Sequence, residues 1–154
     1  MKFIIQRVSS ASVTVDNNVT GKIGNGFLVL IGITHSDTKE IANAMIRKMV
    51  NLRIFTDSQD KMNLSLKDVN GSLLLVSQFT LYGNCSRGNR PDFISAAKRE
   101  LANELYEYII SECKKHEIQV ETGEFGAHMK INLLNDGPVT IILDSDEIIK
   151  KFNT

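Results

Sequence analysis

Asn25-Gly26-Phe27-Leu28-Val29-Leu30-Ile31-Gly32-Ile33 is the stretch on which the reading of the fold turns. A strand with one wet face alternates apolar and polar residues. An unbroken apolar run instead marks a central strand covered on both faces. The Asn-Gly pair before it reads as a hairpin, because both central positions of a type I′ turn need positive φ. Working upstream, residues 2–8 form a β-branched and apolar run, and Ala11, Val13 and Val15 alternate with Ser12, Thr14 and Asp16. That is the period of a half-buried strand. Asp16-Asn17-Asn18 between them and the run is turn chemistry. Downstream, Asp37 and Glu40 have capping-box spacing. Ile41, Met45 and Met49, flanked by Ala42, Ile46 and Val50, then make the apolar stripe of a helix. A polar stretch over 57–71 leads to a buried strand over 72–79. A second helix is expected over 92–116, with Ile94, Ala97, Leu101, Leu105, Tyr108 and Ile109 on its buried face. Two closing strands follow. In the first, Met129, Ile131 and Leu133 alternate with polar residues; the second, 139–143, comes after a turn at Asn135-Asp136-Gly137. The sum is an α+β fold: one β-rich domain over 1–154, a largely antiparallel, barrel-like sheet with two main helices packed on it.

Composition narrows the function classes. The chain has 154 residues, 42% hydrophobic and 23% charged, with 18 basic residues balanced by 18 acidic ones. A single globular domain with an ample core is expected. No run approaches the ~18 apolar residues of a membrane span, and the N-terminal apolar run is too short for a signal peptide. Cys85 and Cys113 lack metal or disulfide spacing, so a reducing, cytoplasmic setting is expected. His35, His116 and His128 have no clustered partner, so neither metal nor cofactor is expected. No nucleophile elbow, phosphate-binding loop or dinucleotide fingerprint is present. Neutral overall balance leaves room for a local basic face: Arg87, Arg90, Lys98 and Arg99 lie within 84–100. By charge alone these are most simply a solvated surface.

Two segments have compositions that local physics does not demand. In Ser77-Gln78-Phe79-Thr80-Leu81-Tyr82-Gly83 an apolar strand gives way to hydroxyl and amide side chains. Capping of a strand end is the simple reading. In Asn135-Asp136-Gly137-Pro138-Val139-Thr140 a proline opens a strand, a permitted position. A Gly-Pro pair can also aim two consecutive carbonyl oxygens in an unusual direction, since the cis bond costs only about 0.5–1 kcal/mol over trans.

Together these segments resemble the SQFTL-like and NxGPVT-like signatures of the D-aminoacyl-tRNA deacylase family. The likeness extends to Gln6-Arg7-Val8, Gly88-Asn89-Arg90-Pro91-Asp92-Phe93 and Gly123-Glu124-Phe125-Gly126-Ala127-His128-Met129. The resemblance implies a homodimer with active sites at the subunit interface. In each, a cis Gly137-Pro138 peptide held by Arg7 reaches into the partner's pocket. Its carbonyl oxygens occupy the space an L-residue's side chain would need, so D-residues, and glycine, are admitted. The reaction implied is hydrolysis of the ester joining a D-amino acid to the terminal ribose of tRNA. Ser77, Gln78, Phe79 and Thr80 are the implied catalytic segment, with main chain around Gln78 and Phe79 stabilising the oxyanion. Thr80 is a candidate nucleophile or water anchor; with no partner base visible, assistance by the substrate's 2′-hydroxyl is preferred. Leu81, Ala102, Phe125, Gly126, Met129, Asn135, Val139 and Thr140 are the implied substrate-binding residues. The 3′-terminal adenosine would lie by Ala102, Phe125, Gly126 and Met129, with the acceptor-stem phosphates near the four basic residues. Two other readings stand beside this one: an RNA-binding β-rich dimer without turnover, and a small-molecule esterase.

Overall fold

The computed structural model describes residues 1–150. Its spine is β1 (Lys2–Val15), one long strand formed by the two upstream apolar stretches. The turn at Asp16-Asn17, both at positive φ (47° and 65°), returns the chain as β2 (Asn18–Ile23) against the second half of β1. The apolar run is β3 (Gly26–Gly32), antiparallel to the first half of β1. The expected Asn25-Gly26 hairpin is not formed. Of the pair only Gly26 has positive φ, and β2 and β3 each pair with β1 rather than with each other. β3 lies against residues 2–8 of β1 and β2 against residues 11–15, so the two follow one another along β1 and share no ladder.

After α1 (Lys39–Val50) and a small ribbon of β4 (Phe55–Thr56) and β5 (Met62–Leu64), β6 (Ser72–Ser77) joins parallel to β3. Then α2 (Arg99–Lys114) leads to the short β7 (Val120–Thr122), parallel to β6. The long β8 (Lys130–Asp144) runs antiparallel along β1, and α3 (Ser145–Lys150) follows. The result is a nearly closed mixed sheet. β2 comes so close to β7 that a Cβ on Gly21 would lie 2.4 Å from the Thr122 carbonyl oxygen. Curling gives the sheet two buried faces. Phe27, Val29, Ile31, Leu73 and Leu75 pack with α1 and α2, whereas Leu28, Leu74 and Val76 face Val8, Val13 and Ile23 inside the curl. This is why β3 carries no alternation.

Three boundaries depart from expectation. Thr38, not Asp37, caps α1, accepting from the Ile41 amide at 3.3 Å. Asp37 is buried and takes the N-terminal ammonium of Met1 at 2.7 Å, which Ser145 also accepts at 2.7 Å. The second helix starts at Arg99, seven residues later than expected, and Ile94 is 80% exposed. The backbone there is tied to the exit of β3: Ala97 donates to the Ile33 carbonyl, Thr34 Oγ1 to that of Ser95, and His35 Nε2 meets that of Ile94. These bonds occupy groups a helix would need. Tyr108, also expected on the buried face, is only half-buried, and Tyr106 is the buried tyrosine. Finally, the two closing strands are one. Asn135-Asp136-Gly137 is not a turn but a wide bulge in β8, where the register jumps from Gln6↔Thr140 to Val8↔Asn135.

Candidate active site

The parallel pairing of β3 and β6 brings their carboxyl ends side by side, with Ile31 opposite Ser77. The Gln78 amide extends that ladder by one bond, donating to the Ile31 carbonyl at 2.7 Å. Here the backbone leaves the strand and tightens into a 3₁₀ turn over Phe79–Tyr82. Opening residues of such a turn have no partner within it. The Phe79 and Thr80 amides accordingly make no hydrogen bond among the described residues. Of the two main-chain donors expected for an oxyanion, Gln78's is engaged and Phe79's is open. The Gln78 side-chain amide donates to Thr80 Oγ1.

Above this turn lies a cleft of about 440 Å³. It is lined by Ser77, Gln78 and Phe79, by Ala102, Phe125, Gly126 and Met129, and by Ala97, Ala127 and Ile131. The site residues expected on these segments are thus gathered in one place. Tyr106 fixes the opposite wall: its hydroxyl donates to the Leu75 carbonyl at 2.8 Å, and its ring packs against Phe125 at 5.8 Å. Burial pushes the Tyr106 hydroxyl well above the usual tyrosine range, so it serves as a neutral anchor. Two polar cleft residues had not been singled out for this cavity. His128 lies on the same loop as Phe125, and Arg99 lies at the first position of α2. The sequence segments named above carried both, but only the packing of the 123–129 loop beside α2 places them at one cleft.

Other expected residues lie outside this cleft. Thr80 is exposed, and Leu81 packs on Gly32, where a Cβ would come within 2.9 Å of the leucine Cβ. Asn135, Val139 and Thr140 build the β8 bulge. Asn135 Oδ1 accepts from the Val139 amide at 2.9 Å, its Nδ2 donates to Thr140 Oγ1 at 3.1 Å, and Val139 is in the core. Gly137 and Pro138, joined by a cis bond, sit exposed on the bulge. Arg7 braces them from β1, donating from Nε to the Asp136 carbonyl (2.8 Å) and from Nη1 to that of Ile54 (2.7 Å). Arg87, Arg90 and Lys98 are exposed, the first two on a loop pinched by paired bonds between Asn84 and Asp92. A wider groove of about 600 Å³ between α1, α3 and β8 contains none of the motif residues. Among the described residues, no three His, Cys, Asp or Glu side chains are placed to hold a metal ion.

The sequence and fold have close counterparts. Residues 4–144 match the family described as D-Tyr-tRNA(Tyr) deacylase. A D-aminoacyl-tRNA deacylase of Clostridioides difficile is 56% identical over 147 residues, 96% of this chain and 99% of the relative. One of Thermosipho africanus is 52% identical over 148 residues, with 96% and 99% covered. Among solved structures, one named c-Myc DNA Unwinding Element Binding Protein superposes with a TM-score of 0.88 at 41% identity, covering 94% of this chain and 98% of that one. A probable eukaryotic D-amino acid tRNA deacylase shares the fold, with a TM-score of 0.78 at 17% identity over 93% and 98% of the two chains. Matched over residues 4–144 and 56% identical to a D-aminoacyl-tRNA deacylase over 96% of its length, this chain belongs to the D-Tyr-tRNA(Tyr) deacylase family, that of the D-aminoacyl-tRNA deacylases.

Proposed function

We propose that the protein is a chiral proofreading hydrolase: it cleaves the ester between a D-amino acid and the terminal ribose of tRNA and spares the L-ester. The observation that carries this reading is the cleft itself, which sets the open Phe79 amide beside a pocket walled by Ala102, Phe125 and Met129. In the mechanism, the terminal adenosine occupies the Phe125 side and the ester carbonyl lies over the Ser77–Phe79 end. The Phe79 N–H receives the oxyanion as water attacks, and removing such a donor typically costs ~10²–10³ in rate. The substrate's 2′-hydroxyl assists in place of a side-chain base, since among the described residues the cleft is lined by no carboxylate and by His128 as its one histidine.

Chirality is read by a second copy of the chain. Gly137-Pro138 is exposed, braced by Arg7 and outside its own cleft, as expected of a segment that completes a neighbour's pocket in a homodimer. Its main chain excludes an L side chain; glycine, having none, is also released. Exposed apolar Leu134 and Ile142 on β8 are suited to burial in such a dimer. The relative whose name records DNA binding favours one further reading, a nucleic-acid-binding dimer without turnover.

The deciding experiment is deacylation of matched D-tyrosyl-tRNA and L-tyrosyl-tRNA by the purified protein without added metal. Release of the D-residue with the L-ester intact is expected. Equal release of both would remove the filter, and tRNA binding without any release would establish the binding reading instead.

A further inference from the structure

The cleft has one permanent charge. Among the described residues that line it there is no carboxylate, and Arg99 is the sole arginine or lysine. Its guanidinium lies 5.7 Å from the Phe125 ring centroid, a cation–π distance. It is also laid against the Gly126 Cα: a Cβ there would meet Arg99 Nη2 at 2.7 Å and Cζ at 3.0 Å. Arg99 is exposed, yet its guanidinium lies against the loop that carries Phe125. Among the described residues it makes no salt bridge and no hydrogen bond. A guanidinium held over an aromatic wall in a cleft without a carboxylate keeps its donors free, and its planar fork matches phosphate oxygens.

We infer that Arg99 is the residue that recognises the phosphate on the 5′ side of the terminal adenosine, and so distinguishes a tRNA end from an aminoacyl nucleoside. This rests on the deacylase reading above. The polarity follows from charge: the substrate's α-ammonium is repelled by Arg99 and goes to the Ser77–Phe79 end, leaving the phosphate to the cation. Arg87, Arg90 and Lys98, outside the cleft lining, contribute only a diffuse attraction that salt screens.

Five ligands and three proteins test this. D-tyrosyl-tRNA, the 3′-O-D-tyrosyl ester of adenosine 5′-monophosphate and the same ester of adenosine are the substrates, and the proteins are wild type, Arg99→Ala and Arg99→Lys. Arg99→Ala should raise KM roughly ten-fold on the two phosphate-bearing substrates, with kcat within about two-fold and the phosphate-free ester unaffected. Arg99→Lys should recover part of the loss. An equal loss on all three esters would make Arg99 a support for the Phe125 loop and overturn the inference; no loss on any would do the same. The fourth ligand, adenosine 5′-monophosphate, is measured by binding against the fifth, adenosine. Wild type should prefer the phosphate and Arg99→Ala should not, a readout that persists without turnover. A wild type that releases nothing from D-tyrosyl-tRNA would instead defeat the deacylase reading itself.

Discussion

Gly137 has φ +141°, where a side chain is strained, and an added Cβ would meet Val139 Cγ2 at 2.8 Å and Arg7 Nη2 at 2.9 Å. Gly137→Ala should therefore push the segment off its Arg7 brace. A stability loss of about 1–3 kcal/mol is expected in urea titration. Under the proposed filter, hydrolysis of L-tyrosyl-tRNA should then become measurable relative to the D-ester. Unchanged discrimination in a folded variant would assign selectivity elsewhere. Thr80 offers the opposite expectation. It is exposed, absent from the cleft lining and engaged by Gln78, so Thr80→Val should retain most of kcat in a deacylation assay; near-total loss with an intact fold would restore a chemical role. Both residues were visible in the sequence because the signature segments name them. What the sequence did not reveal was that the Gln78 amide is consumed by the Ile31 carbonyl. That depends on a strand more than forty residues away in the chain.

At the scale of elements, the apolar runs were legible and the polar connections were not. β3 was recognisable because both its faces are buried, and α1 because Ala42, Met45, Ile46 and Met49 form one stripe. The start of α2 was misjudged because Ile94 and Ala97 happen to continue a helical spacing through a segment whose backbone bonds go to β3. The start of the polar 57–71 stretch is organised around the Asp57 carboxylate. Asp57 Oδ1 accepts from the Gln59 and Lys61 amides at 2.9 and 3.0 Å, and Oδ2 from Asn63 Nδ2 at 3.1 Å. The Lys61 and Gln59 amides hold its carboxyl below the usual aspartate range. A carboxyl lowered on folding contributes stability above its unfolded pKa and loses it as pH falls through the folded one. The Gln59 and Lys61 amide resonances should thus hold their positions as free aspartate begins to protonate, then shift at lower pH. Asp57→Asn should abolish that acid transition.

At the scale of the whole molecule, the N-terminal ammonium links three elements. Met1 and Asp37 are fully buried against Ser145, so the start of β1 is tied to the approach of α1 and to α3. Removing one member of a buried pair leaves the other charge uncompensated, and Asp37→Asn should cost about 3–5 kcal/mol in urea unfolding. Retained stability would mean that Ser145 alone satisfies the amine. Cys113 reports the same global packing. It is fully buried on α2 and its thiol is pushed up to about 12 by that burial, whereas Cys85 is exposed. Iodoacetamide at about pH 8 should label Cys85 alone in the native protein and both thiols in urea. The sequence by itself determined the α+β class, most strand and helix identities, the family and the segments that bear the chemistry. These follow from residue order, since burial periodicity and motif composition are local properties of the chain. The tertiary structure alone decided that β2 and β3 share β1, that the closing strands are one bulged strand, and that Arg99 and His128 reach the cleft of Phe79. Those outcomes depend on which distant backbone donors and acceptors find one another when the sheet curls, and no local pattern encodes that.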